Sequence, residues 1–180
     1  MCTQITRHAI LIFGSTLIRK TIANLIEADT AFIQSVVYHS RLRTEPHEDS
    51  HYFDSEDGRM LGCWIALEDI SEEAGRFCVY PKTHNIKAIE NISTKAVELY
   101  EEYQKLSLEV IRSYKNLNEK PSLSDFKRRI KVIKKLLRLL EIEPYSPALK
   151  KGDAIIFSSK LFHSSYDPHH DLGRSRTSLI

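Results

Sequence analysis

The stretch KGDAIIFSSKLFHSS, residues 151–165, decides the fold. Gly152-Asp153 forms a turn, and Ala154 to Phe157 is a short apolar run of the kind that makes a buried strand. A polar, histidine-bearing segment then continues to Ile180. The same strand language fills residues 1 to about 87. Phe32 to His39, Met60 to Leu67 and Arg76 to Tyr80 are rich in β-branched and aromatic residues, with turns at Asp54 to Gly58, Glu72 to Gly75 and Pro81. The exception is Thr16 to Ala28, where Leu17, Ile18, Thr21, Ile22, Leu25 and Ile26 recur at helical spacing and predict a helix.

Residues 88–148 change character, because charged and apolar residues alternate there with a period near 3.6. Ala96, Leu99, Tyr100, Tyr103, Leu106, Val110, Tyr114 and Leu117 form one stripe, and Pro121-Ser122 ends it. Phe126, Ile130, Ile133, Leu137 and Leu140 form a second stripe that Pro144 ends. Together they predict an antiparallel helical hairpin inserted between strands. Neither β zone is large enough to close a sheet of its own, so residues 1–180 read as one β-rich domain with an insertion at about 88–148.

Composition narrows the function classes. A chain of 180 residues, 42% hydrophobic and 28% charged, suits a single core. With 26 Lys+Arg against 24 Asp+Glu the net charge is only +2, which argues against a surface built to hold nucleic acid. Cys2, Cys63 and Cys78 form no CxxC pair, so a zinc ribbon and a disulfide framework are excluded and a cytoplasmic setting is expected. The apolar stretch from Ala9 to Ile18 is too short to span a bilayer, and it lacks a small-residue cleavage pattern.

The densest set of potential ligands is TEPHEDSH, residues 44–51. On an extended strand His47, Asp49 and His51 face the same way. Two imidazoles and a carboxylate are a donor set that a divalent transition metal accepts. The plainer alternative is an exposed polar turn. His163, arriving on another strand, would complete the same two-histidine, one-carboxylate face, so His51 and His163 stand as alternatives for the second imidazole. Either leaves positions open on an octahedral iron. Arg174, eleven residues past His163, could fork onto the far carboxylate of a dicarboxylic co-substrate.

Four separated motifs, HEDSHYFD (47–54), GCWIALEDISEEAGRFCVYPKTHN (62–85), LKKGDAIIFSSKLFHSS (149–165) and GRSR (173–176), resemble the phytanoyl-CoA dioxygenase family. The resemblance implies a double-stranded β-helix, that is, a cupin-like jelly roll, with the helical hairpin as its insertion. It implies an iron(II)- and 2-oxoglutarate-dependent dioxygenase that hydroxylates a small organic or acyl substrate with O2, releasing succinate and CO2. His47, Asp49 and His163 are then the iron ligands. Arg174 and Ser165 hold the distal carboxylate of 2-oxoglutarate, with Arg176 the runner-up to Arg174, and Trp64 lines the pocket. His84 closes a loop that reads Pro81-Lys82-Thr83-His84 here and usually Pro-Gly-Ser-His in relatives.

Other features have plainer readings. His169 and His170 fit a solvated loop, and Cys63 and Cys78 are small core residues. Lys127, Arg128, Arg129, Lys131, Lys134, Lys135 and Arg138 read as the solvated face of the second inserted helix, with an anionic substrate as the sharper reading. Two rivals to the oxygenase are a jelly-roll metal protein without 2-oxoglutarate chemistry and a truncated, non-catalytic binding module. Without the insert about 120 residues remain for a jelly roll of about eight strands. The expectation is therefore a catalytic core with pared-back outer edges, one of which a second copy of the chain could cover.

Overall fold

Ser15 caps the helix Thr16–Ile26: its hydroxyl accepts the Ile18 N–H at 3.3 Å, satisfying a donor that the first turn leaves orphaned. The computed structural model describes residues 10–39, 44–52, 59–71, 75–115, 123–166 and 177–179. Helix α1 runs Thr16–Ile26. Strands β1 (Val37–His39), β2 (Leu61–Ala66) and β3 (Arg76–Val79) follow. A 3-10 turn at Thr83–Ala88 leads into helices α2 (Thr94–Lys115) and α3 (Leu123–Leu139). Strands β4 (Ala154–Ser158), β5 (His163–Tyr166) and β6 (Thr177–Leu179) complete the order. No described helix is long and apolar enough to cross a membrane.

The strands form two antiparallel sheets, ordered β1-β6-β2-β4 and β3-β5. Six strands among the described residues fall short of the eight or so of a full jelly roll. Single bridges His47↔His163 and Val79↔Tyr145 widen the second sheet on both sides. Alternation along β2 divides the core. Trp64 and Ala66 pack with Phe157 of β4 and with Phe77 and Val79 of the second sheet, while Cys63 and Ile65 face Phe13, Ile18 and Ile22 at the N-terminal helix. A third cluster joins Leu99, Tyr103 and Leu106 of α2 to Val132, Ile133 and Leu136 of α3, with Ile86 and Phe162 driven into it. Full burial of a side chain such as Phe162 contributes roughly 1.5–3 kcal/mol. Because His163 follows Phe162, that anchor also fixes where the histidine emerges.

Three expectations need correction. The strand over Phe32 to His39 shrinks to β1: Phe32, Ile33 and Val36 are exposed, and among the described residues β1 pairs with the three-residue β6 alone. The buried face of α3 is Arg129, Val132, Ile133, Leu136 and Leu137; Phe126 turns outward. The apolar residues 132, 133, 136 and 137 form a wider stripe than the one read from Phe126 to Leu140, and the wider stripe wins the interior. Arg129, counted among the solvated cations, is consequently only 2% exposed. Leu117 lies outside the described residues.

Candidate metal centre

His47 and His163 face each other across the bridge that joins their backbones. The His47 N–H donates to the His163 carbonyl at 3.0 Å, and the His163 N–H returns the bond at 2.9 Å. The imidazole centroids are 4.3 Å apart. Asp49 does not continue a strand. Its N–H and that of Ser50 both donate to the Ser159 carbonyl, at 2.8 and 3.0 Å, and Tyr52 N–H closes a turn on the Asp49 carbonyl at 2.9 Å. The strand parity expected for 47, 49 and 51 is therefore absent, and a turn aims the carboxylate instead. Asp49 Oδ1 lies 3.7 Å from His47 Nε2 and 3.5 Å from His163 Nε2. One donor atom from each of the three lies within 4.8 Å of the other two.

The hydrogen bonds behind these rings test whether a metal fits. His47 Nδ1 lies 2.7 Å from the Glu45 carbonyl, and His163 Nδ1 lies 3.0 Å from the Leu161 carbonyl. A carbonyl only accepts, so each Nδ1 carries the proton and each Nε2 presents a lone pair toward Asp49. Burial, with the neighbouring His47 as a second cause, pushes the His163 pKa down to about 3 and keeps the ring neutral, as a ligand must be. Burial raises the Asp49 pKa; a proton on the His47 ring would oppose this, and the Glu48 charge adds to it. His163 is walled by Phe157 and Phe77, whose rings stand 4.8 and 5.5 Å away, whereas Asp49 and His47 are partly open. One dry wall and one open side suit an ion that keeps further positions for small molecules.

The other predicted residues divide. His51 turns away from the cluster: its Nε2 donates to Gln104 Oε1 at 2.9 Å, and its ring meets the Tyr103 ring edge-on. Ser165 shares the His163 side of β5, and its hydroxyl accepts the Thr44 N–H at 3.1 Å and lies 2.8 Å from the Thr44 hydroxyl. Trp64 is 1% exposed and stacks on Phe77 at 5.4 Å, so it supports the wall behind His163 and does not form a pocket surface. Arg174, Arg176, His169 and His170 lie outside the described residues. Burial in the core pushes the Cys63 and Cys78 thiols up to about pKa 11.

Sequence reading missed several residues that shape the site. Glu48, between two of the candidate ligands, is 2% exposed and accepts from Gln104 Nε2 at 3.0 Å. Thr83 is buried, and its hydroxyl donates to the Tyr80 carbonyl at 2.7 Å and accepts the Phe162 N–H at 2.9 Å, pinning the residue before His163. A cavity of about 660 Å³ reaches Asp49. Its walls come from α1 (Ile18, Ile22), Phe13, Phe32 and β2 (Leu61, Cys63), and Arg19 and Arg59 are its cations.

Helices on two small antiparallel sheets, with two imidazoles and a carboxylate meeting where a cavity reaches the carboxylate, define a candidate metal-binding core. The chain belongs to the phytanoyl-CoA dioxygenase family: the family described as Phytanoyl-CoA dioxygenase (PhyH) matches residues 33–171. No curated protein matches it in sequence. Among solved structures it is similar to EctD from S. alaskensis, crystallised with 2-oxoglutarate and 5-hydroxyectoine (TM-score 0.59, 14% identity, 95% of this chain and 50% of that one). It is also similar to SnoK, a non-heme alpha ketoglutarate dependent carbocyclase from nogalamycin biosynthesis (TM-score 0.57, 14% identity, 94% of this chain and 55% of that one). The likeness is one of fold, and the chain spans about half the length of each of these proteins.

Proposed function

We propose that this chain carries the iron(II) and 2-oxoglutarate centre of an oxygenase built on a jelly roll, with His47, Asp49 and His163 as the metal ligands. The observation that carries the reading is the pair of Nδ1–H to carbonyl bonds, which leaves both Nε2 lone pairs facing one carboxylate. Bound iron and 2-oxoglutarate would supply O2-dependent oxidation, with hydroxylation as the expected outcome. The chain's own residues do the rest. Thr83 and Phe162 fix the position of His163, and Phe157 and Phe77 exclude water from its inner side. Ser165, with Arg174 or Arg176, receives the distal carboxylate of the co-substrate. The cavity beside Asp49 takes a small organic or acyl substrate by its apolar body, with Arg19 and Arg59 facing an anionic group.

Anaerobic titration of the iron(II)-loaded chain with 2-oxoglutarate tests this. Chelation of the iron should raise a weak visible charge-transfer band that His47→Ala and His163→Ala abolish and His51→Ala leaves in place. A band lost in the His51 variant and kept in the His163 variant would reverse the ligand assignment. Folded, iron-loaded chain that develops no band and forms no succinate under O2 would leave a metal protein of another class or a binding module.

A further inference from the structure

We propose that the helix pair α2 and α3 is a clamp on the segment 45–52 that bears His47 and Asp49, through Gln104, Arg129 and Lys134, and that it thereby sets the metal affinity of the site. This rests on the reading of His47 and Asp49 as ligands. The grip falls on both sides of each of them. Lys134 Nζ meets Glu45 at 2.5 Å, two residues before His47. Gln104 donates from Nε2 to Glu48 and accepts from His51 Nε2, bracketing Asp49. Arg129 Nη2 donates to the Tyr52 hydroxyl, which ends the turn that aims the Asp49 carboxylate. The buried guanidinium also lies over the Tyr52, Tyr103 and Phe126 rings at 5.4, 5.9 and 5.6 Å.

The chemistry of this junction is unexpected for a simple packing contact. Glu48 and Arg129 are each 2% exposed, and His51 Nδ1 stands 2.9 Å from Glu48 Oε1 at an angle that makes no good hydrogen bond. Buried polar groups add little stability, since apolar residues of similar volume often do as well or better. They do specify position, because each bond holds in only one register. Segment 45–52 contains no described helix or strand of its own, and among the described residues its one ladder contact is the bridge at His47. Without the clamp the turn that carries Asp49 would depend on the two bonds to Ser159. Gln104, Arg129 and Lys134 are in this view positioning residues that act through the segment. A ligand held in place before the ion arrives avoids the ordering entropy that a loose ligand loses on binding.

Gln104→Met keeps the shape of the side chain and removes its polar ends. Cobalt(II) affinity, read from the visible absorbance of the loaded full chain, should fall about tenfold, with faster amide exchange confined to residues 44–52 in the metal-free chain. Val110→Ala, which thins the α2 core away from the segment, should lower the melting temperature and leave the affinity unchanged. Tyr52→Phe, at a partly exposed position, serves if the first variant does not fold, and should weaken cobalt about threefold. Unchanged affinity in the Gln104 and Tyr52 variants would overturn the clamp, and so would an equal loss in Val110→Ala. A wild-type chain that takes up no cobalt would overturn the metal reading instead. Exchange at 44–52 would then decide the clamp, which fails if Gln104→Met leaves that exchange unchanged.

Discussion

Lys82 holds a left-handed backbone (φ 68°, ψ −9°), the region that favours glycine. The loop thus adopts a turn that glycine makes easily, at a conformational cost of roughly 1–2 kcal/mol for an L-residue. Lys82→Gly should stabilise the chain by about 0.5–1 kcal/mol, the relief being partly offset by the freedom glycine gains in the unfolded chain. Urea unfolding would show this as a higher midpoint at unchanged slope. The turn matters because Thr83 follows it and carries the hydroxyl that pins Phe162 beside His163. Residue chemistry also separates the cysteines. With thiols held near pKa 11, Cys63 and Cys78 should resist a thiol reagent at about pH 8 in a Cys2→Ser background and react once the chain is unfolded. Fast labelling of either in the folded chain would contradict their burial. That His47, Asp49 and His163 come together was legible through the family motifs around them, whereas spacing alone left His51 and His163 as alternatives. Glu48 was not legible, since a glutamate in a run of polar residues gives no sign that a glutamine from a distant helix will bury it.

Elements were legible where a period was long and broke down where pairing decides. The three helices and the β2, β3 and β4 strands fall close to where apolar spacing places them, whereas β1 is cut short by its partner and segment 47–52 is bent by two bonds to Ser159. The inward face of α3 was misread by about one position, and the residue that moved inside with the corrected face is Arg129, on which the clamp depends. Between β2 and β4, Gly62 pairs with Phe157, and a Cβ there would lie 2.3 Å from the Phe157 ring. The missing side chain makes room for a ring that stands 4.8 Å from the His163 imidazole. Gly62→Ala should therefore destabilise the chain by about 1–3 kcal/mol, the range for overpacking a filled core. It should also weaken metal binding, because the displaced ring is the dry wall of the site. Calorimetry together with a cobalt titration separates the two effects. A neutral outcome in both would mean that Phe157 has free space the packing does not show.

At the scale of the whole molecule the sequence order of strands, helical excursion and strands is preserved, but the sheet partners were not legible, because β1 meets β6 and β2 meets β4 across the entire insertion. Pairings of such separation depend on the sum of the core and leave no local mark. The centre that results lies where the two sheets, the N-terminal cavity and the hairpin converge, so its ionisation is coupled to global stability. In the metal-free chain folded His163 protonates only near pH 3, while the unfolded chain protonates it below about 6.5. Between those values the unfolded state binds the extra proton, so this histidine makes stability fall as the pH falls. Asp49 acts in the opposite sense. Its pKa is raised above 3.8, so just above that value the folded chain holds the proton and stability rises on acidification. His163→Asn should therefore flatten the loss of stability between about pH 6.5 and 3, and Asp49→Asn should steepen it. Adding a divalent ion at a hundred times its dissociation constant should raise the stability of the unmutated chain by about 2.7 kcal/mol near neutrality. That gain should shrink on acidification, because protons and the ion compete for the same two lone pairs and one carboxylate. Urea midpoints across this pH range, with and without cobalt, test all three expectations, and a pH profile indifferent to both substitutions would show that the two groups are solvated in the folded chain.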